Sequence, residues 1–554
     1  MTATPGSTSA HALLRVFSNN GIDRVYLVPG ESYLGVLDAL SDFSDIDVVT
    51  CRHEGGAAFM AAVDGKLTGR PGVVMVSRGP GAANAAIGLH AAQQDAAPMI
   101  LIVGQVPKRD LRKKAFQEID YQQMYGSIAK WVCEVIEPEQ LAVAAFKAIR
   151  VATSGVPGPV VLVIPEDIQQ QEVAQHAWVS QQSIPTRPNP ADVVQVRALI
   201  ERSRRPLIIA GSALAREGGR QALKALAEKF HLPVTVSFRG HDLFPNSHPL
   251  YAGNLDLANP EHQMQAFASS DLILALGTRL GDVTTQGYTF PRYPRPAQKL
   301  VHCIADAEIV NQHFAADVGI VGDAAALCEA LLDSDLGISI DDERLSWVST
   351  LRGIQEQYAA WPNIQVSDGV PFVEVVRSLK KQSPKSVKIC LDAGTFAAPV
   401  YRHFAFDDEQ RLIASFSGAM GYGTPSAIVA QLRNAGDKVV CLVGDGGFMM
   451  TGNEMMAAVD RKLPILFILS NNHCYGSIRI HQDRTYPGRY VGTNINSPDF
   501  VAMARSFGVP SELVDRLDQV DSAIERGLAA DEPYFIEVAT SLNAVLPSQR
   551  ATPG

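Results

Sequence analysis

The chain has 554 residues, too many for one hydrophobic core and suited to about three domains of ordinary size. Hydrophobic residues make up 46% and charged residues 19%, a globular composition that excludes a disordered chain. The formal charge of -10 comes from acids spread along the sequence; with no basic block and no basic–aromatic stripe, no nucleic-acid partner is expected.

Seven scattered cysteines, an odd number with no CxxC pair, are expected as reduced thiols of a cytoplasmic protein. The start, MTATPGSTSAHALL, has no basic segment followed by a long apolar one, so no signal peptide is expected. No apolar run approaches the roughly 20 residues that span a bilayer, and no membrane partner is expected.

In chain order, short β-branched runs end in Gly, Pro or Ser turns and are followed by Ala-rich helical patterns. RVYLV precedes PGES, GVVMV precedes SRGPG, MILIV precedes GQVP, and PVVLVI precedes PED. The texture returns at PLIIAG, LPVTVSF and DLILALG, then at VKICLDAG, KVVCLVGDG and PILFILSNN. Continuous runs of this kind suit strands buried on both faces, and their alternation with helices predicts parallel sheets. The expected fold class is α/β, with three consecutive parallel-sheet domains. A polar, proline-bearing linker at about 180–192 and a stretch at about 335–368, where charged helical sequence and then AAWPNIQVSDG read as a long crossing connection, place the domains at 1–180, 190–340 and 365–554.

The strongest local pattern is VVCLVGDGGFMMTGNEMMAAVDRKLPILFILSNN. A buried strand ends at Gly444, Asp445, Gly446 and Gly447, and a helix follows, so backbone N–H groups stand at a helix start where phosphate binds well. A second strand delivers Asn471 and Asn472. A carboxylate and an amide oxygen at adjacent strand ends, with diphosphate oxygens, are the hard-oxygen set that Mg²⁺ prefers; the plain alternative is two residues that only terminate strands. Far upstream, VVTCRHEGGAAFMAAVDGKLTG ends a strand at Cys51-Arg52-His53 and opens an Ala/Gly-rich helix at Glu54. Read alone, Glu54 is a carboxylate favoured by the helix dipole.

The GDG and NN pair at this separation resembles the diphosphate-binding motif of thiamine-diphosphate enzymes, and RHEGGAAFMA resembles their activating-glutamate segment. The resemblance covers nearly the whole chain and points to the acetohydroxyacid synthase, pyruvate oxidase and 2-oxoacid decarboxylase superfamily. SRGPGAANAAIGLHAAQQDAAPMILIVGQVP, AFQEID and SFSGAMGYGTPSA look most like acetohydroxyacid synthase. It implies a pyrimidine-binding, a central and a diphosphate-binding domain, with thiamine diphosphate and Mg²⁺ as cofactors. Asp445, Asn472 and the backbone carbonyl of Cys474 would be the metal ligands. Gly394, Thr395, Gly418, Gly444, Gly446, Gly447, Tyr475 and Gly476 would contact the cofactor. Met420 would prop it into a bent shape, or is an ordinary core methionine. Glu54 would be the carboxylic acid on the aminopyrimidine N1′, a role that a Gly/Ala-lined pocket favours by raising its pKa. Family sites lie between two chains, with Glu54 from one and Asp445 from the other. That implies a homodimer at least, and a homotetramer as the expected assembly.

Departures from the family bear on the substrate. Phe116 and Gln117 keep the pattern that lines the synthase and oxidase pocket. Glu31, in VPGESY, stands where synthases have a glycine and decarboxylases an acid; it either shuttles a proton or caps the following helix. The synthase's PKD is Pro165-Glu166-Asp167 here, its tryptophan falls at His481 beside Ile480, and its second FDDR arginine gives way to Val283. Arg78 either pairs with a substrate carboxylate or forms a structural salt bridge. The central block follows an FAD-binding path, yet the arginine of GRPGPV is Val156 and a triple glycine is Gly211-Ser212-Ala213, which weighs against FAD. The expected function is decarboxylation of a 2-oxo acid with ligation of the remaining carbon to a second carbonyl. A simple 2-oxoacid decarboxylase and a 2-hydroxyacyl-CoA lyase, taking an acyl-CoA substrate, are the alternatives. A flavin-dependent pyruvate oxidase and a non-catalytic cofactor sensor stand further off.

Overall fold

A computed structural model describes residues 7–544 and 546, apart from 175, 182, 183, 217, 334–339 and 408. The first six residues, part of the polar linker and the start of the stretch at 335–368 therefore lie outside the described residues. Three six-stranded sheets follow one another along the chain, and every neighbouring pair of strands is parallel. From edge to edge the first runs Asp47–Thr50, Arg24–Leu27, Gly72–Val76, Met99–Gln105, Pro159–Pro165 and Trp131–Glu134. The third runs Arg411–Ala414, Lys388–Leu391, Val439–Gly444, Ile465–Asn471, Tyr534–Ala539 and Ser511–Val514. Numbered by chain position within each sheet, both have the order 2-1-3-4-6-5. The central sheet, between edge strands Val318–Val321 and Tyr251–Asn254, has the order 6-5-4-1-2-3. Where the winding direction reverses, at strands 1 and 3 in the outer sheets and 1 and 4 in the central one, a crevice opens past the carboxyl ends.

The interior strands are buried on both faces, which is why PVVLVIP and VVCLV read as unbroken apolar runs. The outer blocks share one hydrophobic core. The helix Glu54–Thr68 is buried without interruption from Gly55 to Gly65 and packs between Pro80–Asp95 and Gly423–Arg433. Ion pairs reinforce that seam: the Arg433 guanidinium donates to Asp23 at 2.8 and 2.9 Å and to Asp64 at 2.5 and 2.8 Å.

The helical part of the crossing stretch docks on the central block. Its helix Asp342–Ala359 seats Trp347 and Leu351 in a hydrophobic cluster of the central block, and Trp347 Nε1 donates to the Pro206 carbonyl at 2.8 Å. A few large apolar residues among charged ones suffice to dock a helix. All seven cysteines are free. Among the described residues no helix is long and apolar enough to cross a membrane.

Candidate functional site

The third sheet builds the more enclosed half of the site. The strand Val439–Gly444 turns at Gly444 into the helix Asp445–Thr451, leaving Asp445 4% exposed. Asp445 Oδ1 accepts the Gly446 N–H at 2.8 Å, while Oδ2 is buried with no partner. Burial pushes this carboxyl above its ordinary value, against the pull of the Gly446, Cys474 and His473 amides. The neighbouring strand sets Ser470 opposite Gly444, so Asn472 leaves the sheet beside Asp445. Asn472 Oδ1 accepts the Cys474 N–H at 3.1 Å, and the Cys474 carbonyl accepts the Gly476 N–H at 2.8 Å. A buried carboxylate oxygen without a partner calls for a cation, and an amide oxygen and a carbonyl nearby are the neutral oxygens that hard cations accept. Among the described residues no cluster of three His, Cys, Asp or Glu side chains is placed to hold a metal.

The walls around Asp445 follow from close approaches. A Cβ on Gly446 would collide with the Tyr475 ring and stand 3.3 Å from Met420 Cε, so both side chains converge on that glycine. Met420 is half-buried and lies between Gly418 and Gly421, whose φ values of +65° and +84° favour glycine. Gly394 and Gly444, at the ends of adjacent strands, both lie against the Phe396 ring, and Thr395 opens the short helix after Gly394. Beneath them sits Asp392, 2% exposed, with burial pushing its carboxyl up to about 7. It accepts the Ala393 N–H at 2.6 Å and the Gly421 N–H at 2.9 and 3.0 Å. Thr451 Oγ1 donates to the Gly421 carbonyl at 2.6 Å, tying the Met420 turn to the helix that begins at Asp445.

In the first sheet, Glu54 opens its helix behind His53, whose Nδ1 accepts the Gly55 N–H at 3.0 Å. Glu54 Oε2 accepts from Asn84 Nδ2 at 2.9 Å, and a Cβ on Gly81 would stand 3.2 Å from Oε1. A single chain leaves Glu54 half-buried and Asn84 exposed, so the sealed pocket expected around this glutamate is not completed by one copy.

Glu31 opens the short helix Glu31–Tyr33 and is exposed; that helix has no side-chain cap, so the capping alternative finds no support. Arg78 Nη1 donates to Glu166 Oε2 at 2.7 Å, so the acid in PED has an ion-pair partner and the salt-bridge alternative describes Arg78 in this chain. Arg78 Nε is buried without a partner. Gln117 packs on the same turn, since a Cβ on Gly79 would stand 2.9 Å from Gln117 Cβ, and its neighbour Phe116 is 79% exposed. Ile480 and His481 ride on the helix Gly476–Thr485, where Ile480 is half-buried and His481 exposed.

Asp392 and Asn84 are not singled out by the sequence motifs. Asp392 ends a strand as Asp445 does, which is a readable signal. Asn84 meets Glu54 only through the fold.

A crevice at a strand-order reversal, a phosphate-suited glycine turn and, among the described residues, one unpartnered buried carboxylate oxygen mark an α/β protein suited to a diphosphate-bearing ligand. Comparison with known proteins narrows the class. The family described as "Thiamine pyrophosphate enzyme, N-terminal TPP binding domain" matches residues 7–124; its central domain matches 193–331 and its C-terminal TPP binding domain 392–538. The acetolactate synthase isozyme 2 large subunit of Escherichia coli is 30% identical over 523 residues, covering 94% of this chain and 93% of that protein. A probable acetolactate synthase large subunit of Methanocaldococcus jannaschii is 28% identical, with 98% and 94% covered. The acetolactate synthase large subunit of Corynebacterium glutamicum is 29% identical, with 96% and 86% covered. The chain belongs to the thiamine pyrophosphate enzyme family.

Proposed function

We propose that the chain decarboxylates a 2-oxo acid and joins the remaining carbon to the carbonyl of a second substrate, as the name acetolactate synthase implies for its relatives. The observation that carries this reading is the buried, unpartnered Oδ2 of Asp445 beside Asn472 and Cys474. Asp445, the Asn472 side-chain oxygen and the Cys474 carbonyl would hold Mg²⁺. The amides of Gly446 and Gly447, with Gly394 and Thr395, would meet the diphosphate. Met420, Tyr475 and Gly418 would shape the wall between diphosphate and pyrimidine. When bound, thiamine diphosphate supplies the electron sink for cleavage next to the carbonyl. Glu54 holds a proton at the aminopyrimidine N1′. Phe116 and Gln117 would line the substrate side, and Glu31 would move a proton during product release.

The half-buried Glu54 supports a site completed by a second copy, a homodimer at least, with a homotetramer as the proposed assembly. The central crevice lined by Val156, Ser212, Ala213, Arg279 and Asp323 is where a flavin would lie. Without a charged side chain at 156 the proposal remains against FAD, and the visible absorption spectrum of purified protein tests it. The function is tested by incubating the protein with thiamine diphosphate, Mg²⁺ and a panel of 2-oxo acids and acyl-CoAs, with products identified by mass spectrometry. A ligated hydroxy-oxo acid is the expected product; free aldehyde alone indicates a decarboxylase, and acyl-CoA cleavage a lyase.

A further inference from the structure

Glu454 and the residues just before Glu54 lie about 400 positions apart in the chain and meet at the seam between the first and third sheets. Glu454 is 0% exposed. Its Oε1 accepts the Arg52 N–H at 3.0 Å and the His53 N–H at 2.8 Å, and its Oε2 lies 3.2 Å from the same Arg52 nitrogen. These amides belong to the turn between the strand Asp47–Thr50 and the helix that begins at Glu54, where backbone donors have no acceptor within the helix. The third block also holds the turn through Arg52, which pairs with Asp460 at 2.5 Å, and holds the start of the preceding strand through Arg461, which pairs with Asp47 at 2.8 Å. Gly56 makes room for the arrangement. A Cβ there would stand 2.7 Å from Glu454 Cγ and 2.8 Å from its carboxyl carbon, so this glycine of the RHEGG segment lets the carboxylate reach beneath the helix start.

We propose that Glu454 is a positioning residue for Glu54, fixing the site of the activating glutamate through the Arg52 and His53 amides. The proposal rests on the reading of Glu54 as the acid that serves the cofactor's pyrimidine. What the two amides require is an oxygen acceptor, and a donor left buried without one is costly. A glutamate carried by a loosened turn misses its target, and a displacement of about 1 Å can lower a rate by as much as about a hundredfold.

The test uses the full chain in two states. In cofactor-free protein, hydrogen exchange at the Arg52 and His53 amides should quicken by about tenfold or more in Glu454→Ala and return close to the parent's in Glu454→Gln, whose amide oxygen can take both N–H groups. In the loaded enzyme, Glu454→Ala should lower turnover by about ten- to a hundredfold, Glu454→Gln should restore most of that, and Glu454→Ala should cost almost nothing further in a Glu54→Gln background. If the alanine variant does not fold, Glu454→Asp, which withdraws the carboxylate by one methylene, carries the same comparisons. Unchanged exchange, or an equal loss of turnover with and without Glu54, would overturn the proposal. Near-normal turnover of Glu54→Gln alone would overturn the activation reading instead, and the exchange result separates the two failures.

Discussion

The first and third sheets share one strand order and one shared core, yet they carry opposite loads past their strand ends. In the third sheet, glycine turns at Gly394, Gly418 and Gly444–Gly447 surround Asp445, and its buried Oδ2 finds a partner nowhere in the described chain. In the first, the equivalent ends carry side chains already matched to neighbours: Arg78 to Glu166, Glu54 to Asn84, Ser32 Oγ to the Arg78 amide at 3.0 Å. One topology thus yields a glycine-lined turn around a buried carboxylate oxygen without a partner and a rim whose side chains mostly pair with one another. The difference lies in the residues after the strands, since fold alone does not fix function.

The sharpest way to break this contrast is to remove that carboxylate. Asp445→Ala should abolish Mg²⁺-dependent binding of thiamine diphosphate, because the remaining amide and carbonyl oxygens are neutral. Titration of cofactor with and without Mg²⁺ checks it, and parent-like affinity would take Asp445 out of the metal shell. Next in size is Glu54→Gln, expected to keep cofactor binding while lowering turnover by at least about a hundredfold, the scale of a lost proton-transfer group. Steady-state rates at saturating cofactor decide it.

A smaller effect is expected at Glu31. Glu31→Gln should raise the ratio of ligated product to free aldehyde while total turnover falls, with little change in stability because no cap is lost. An unchanged ratio at equal cofactor occupancy would leave Glu31 without a chemical role.

The smallest effect concerns pH. Burial pushes the Glu454 carboxyl up to about 7 from its ordinary 4.5, with nearby Glu54 acting in the same direction and the Arg52 and His53 amides and the Arg52 charge opposing. Burial likewise raises the neighbouring Cys51 thiol, with the charge of Glu454 adding to it. The folded chain therefore holds the Glu454 proton more tightly than the unfolded one. Stability from this group is fully present below about pH 4.5 and lost as pH rises through about 7. Melting curves at about pH 5 and about pH 8 should show a smaller drop for Glu454→Gln than for the parent.

Much of this was legible in the sequence because the informative residues sit at strand ends. Unbroken runs such as VVCLV mark buried strands, and the glycine turn after one of them places Asp445 without any knowledge of tertiary contacts. The sheet orders were not legible, since parallel strands of similar composition carry no label for their neighbours. Nor was Glu454, which in GNEMM looks like any polar residue between helices; its meaning comes from amides about 400 residues away. The pairing of Arg78 with Glu166 was invisible for the same reason, although the acid in PED was itself noticed. That the helix Asp342–Ala359 docks on the central block was not legible either, because its charged residues outnumber Trp347 and Leu351, which enter a hydrophobic cluster there.

The proposed division of labour between the two outer sheets, in which a second chain completes the site, is tested most directly by mixing two inactive proteins. Glu54→Gln lacks the acid and Asp445→Ala lacks the metal-binding carboxylate, so each alone should be nearly inactive. When the chains are unfolded together and refolded, a hybrid dimer would unite an intact Glu54 with an intact Asp445 in one of its two sites. With random pairing, activity should recover to about a quarter of the parent's. Hybrid dimers that form and remain inactive would contradict the account.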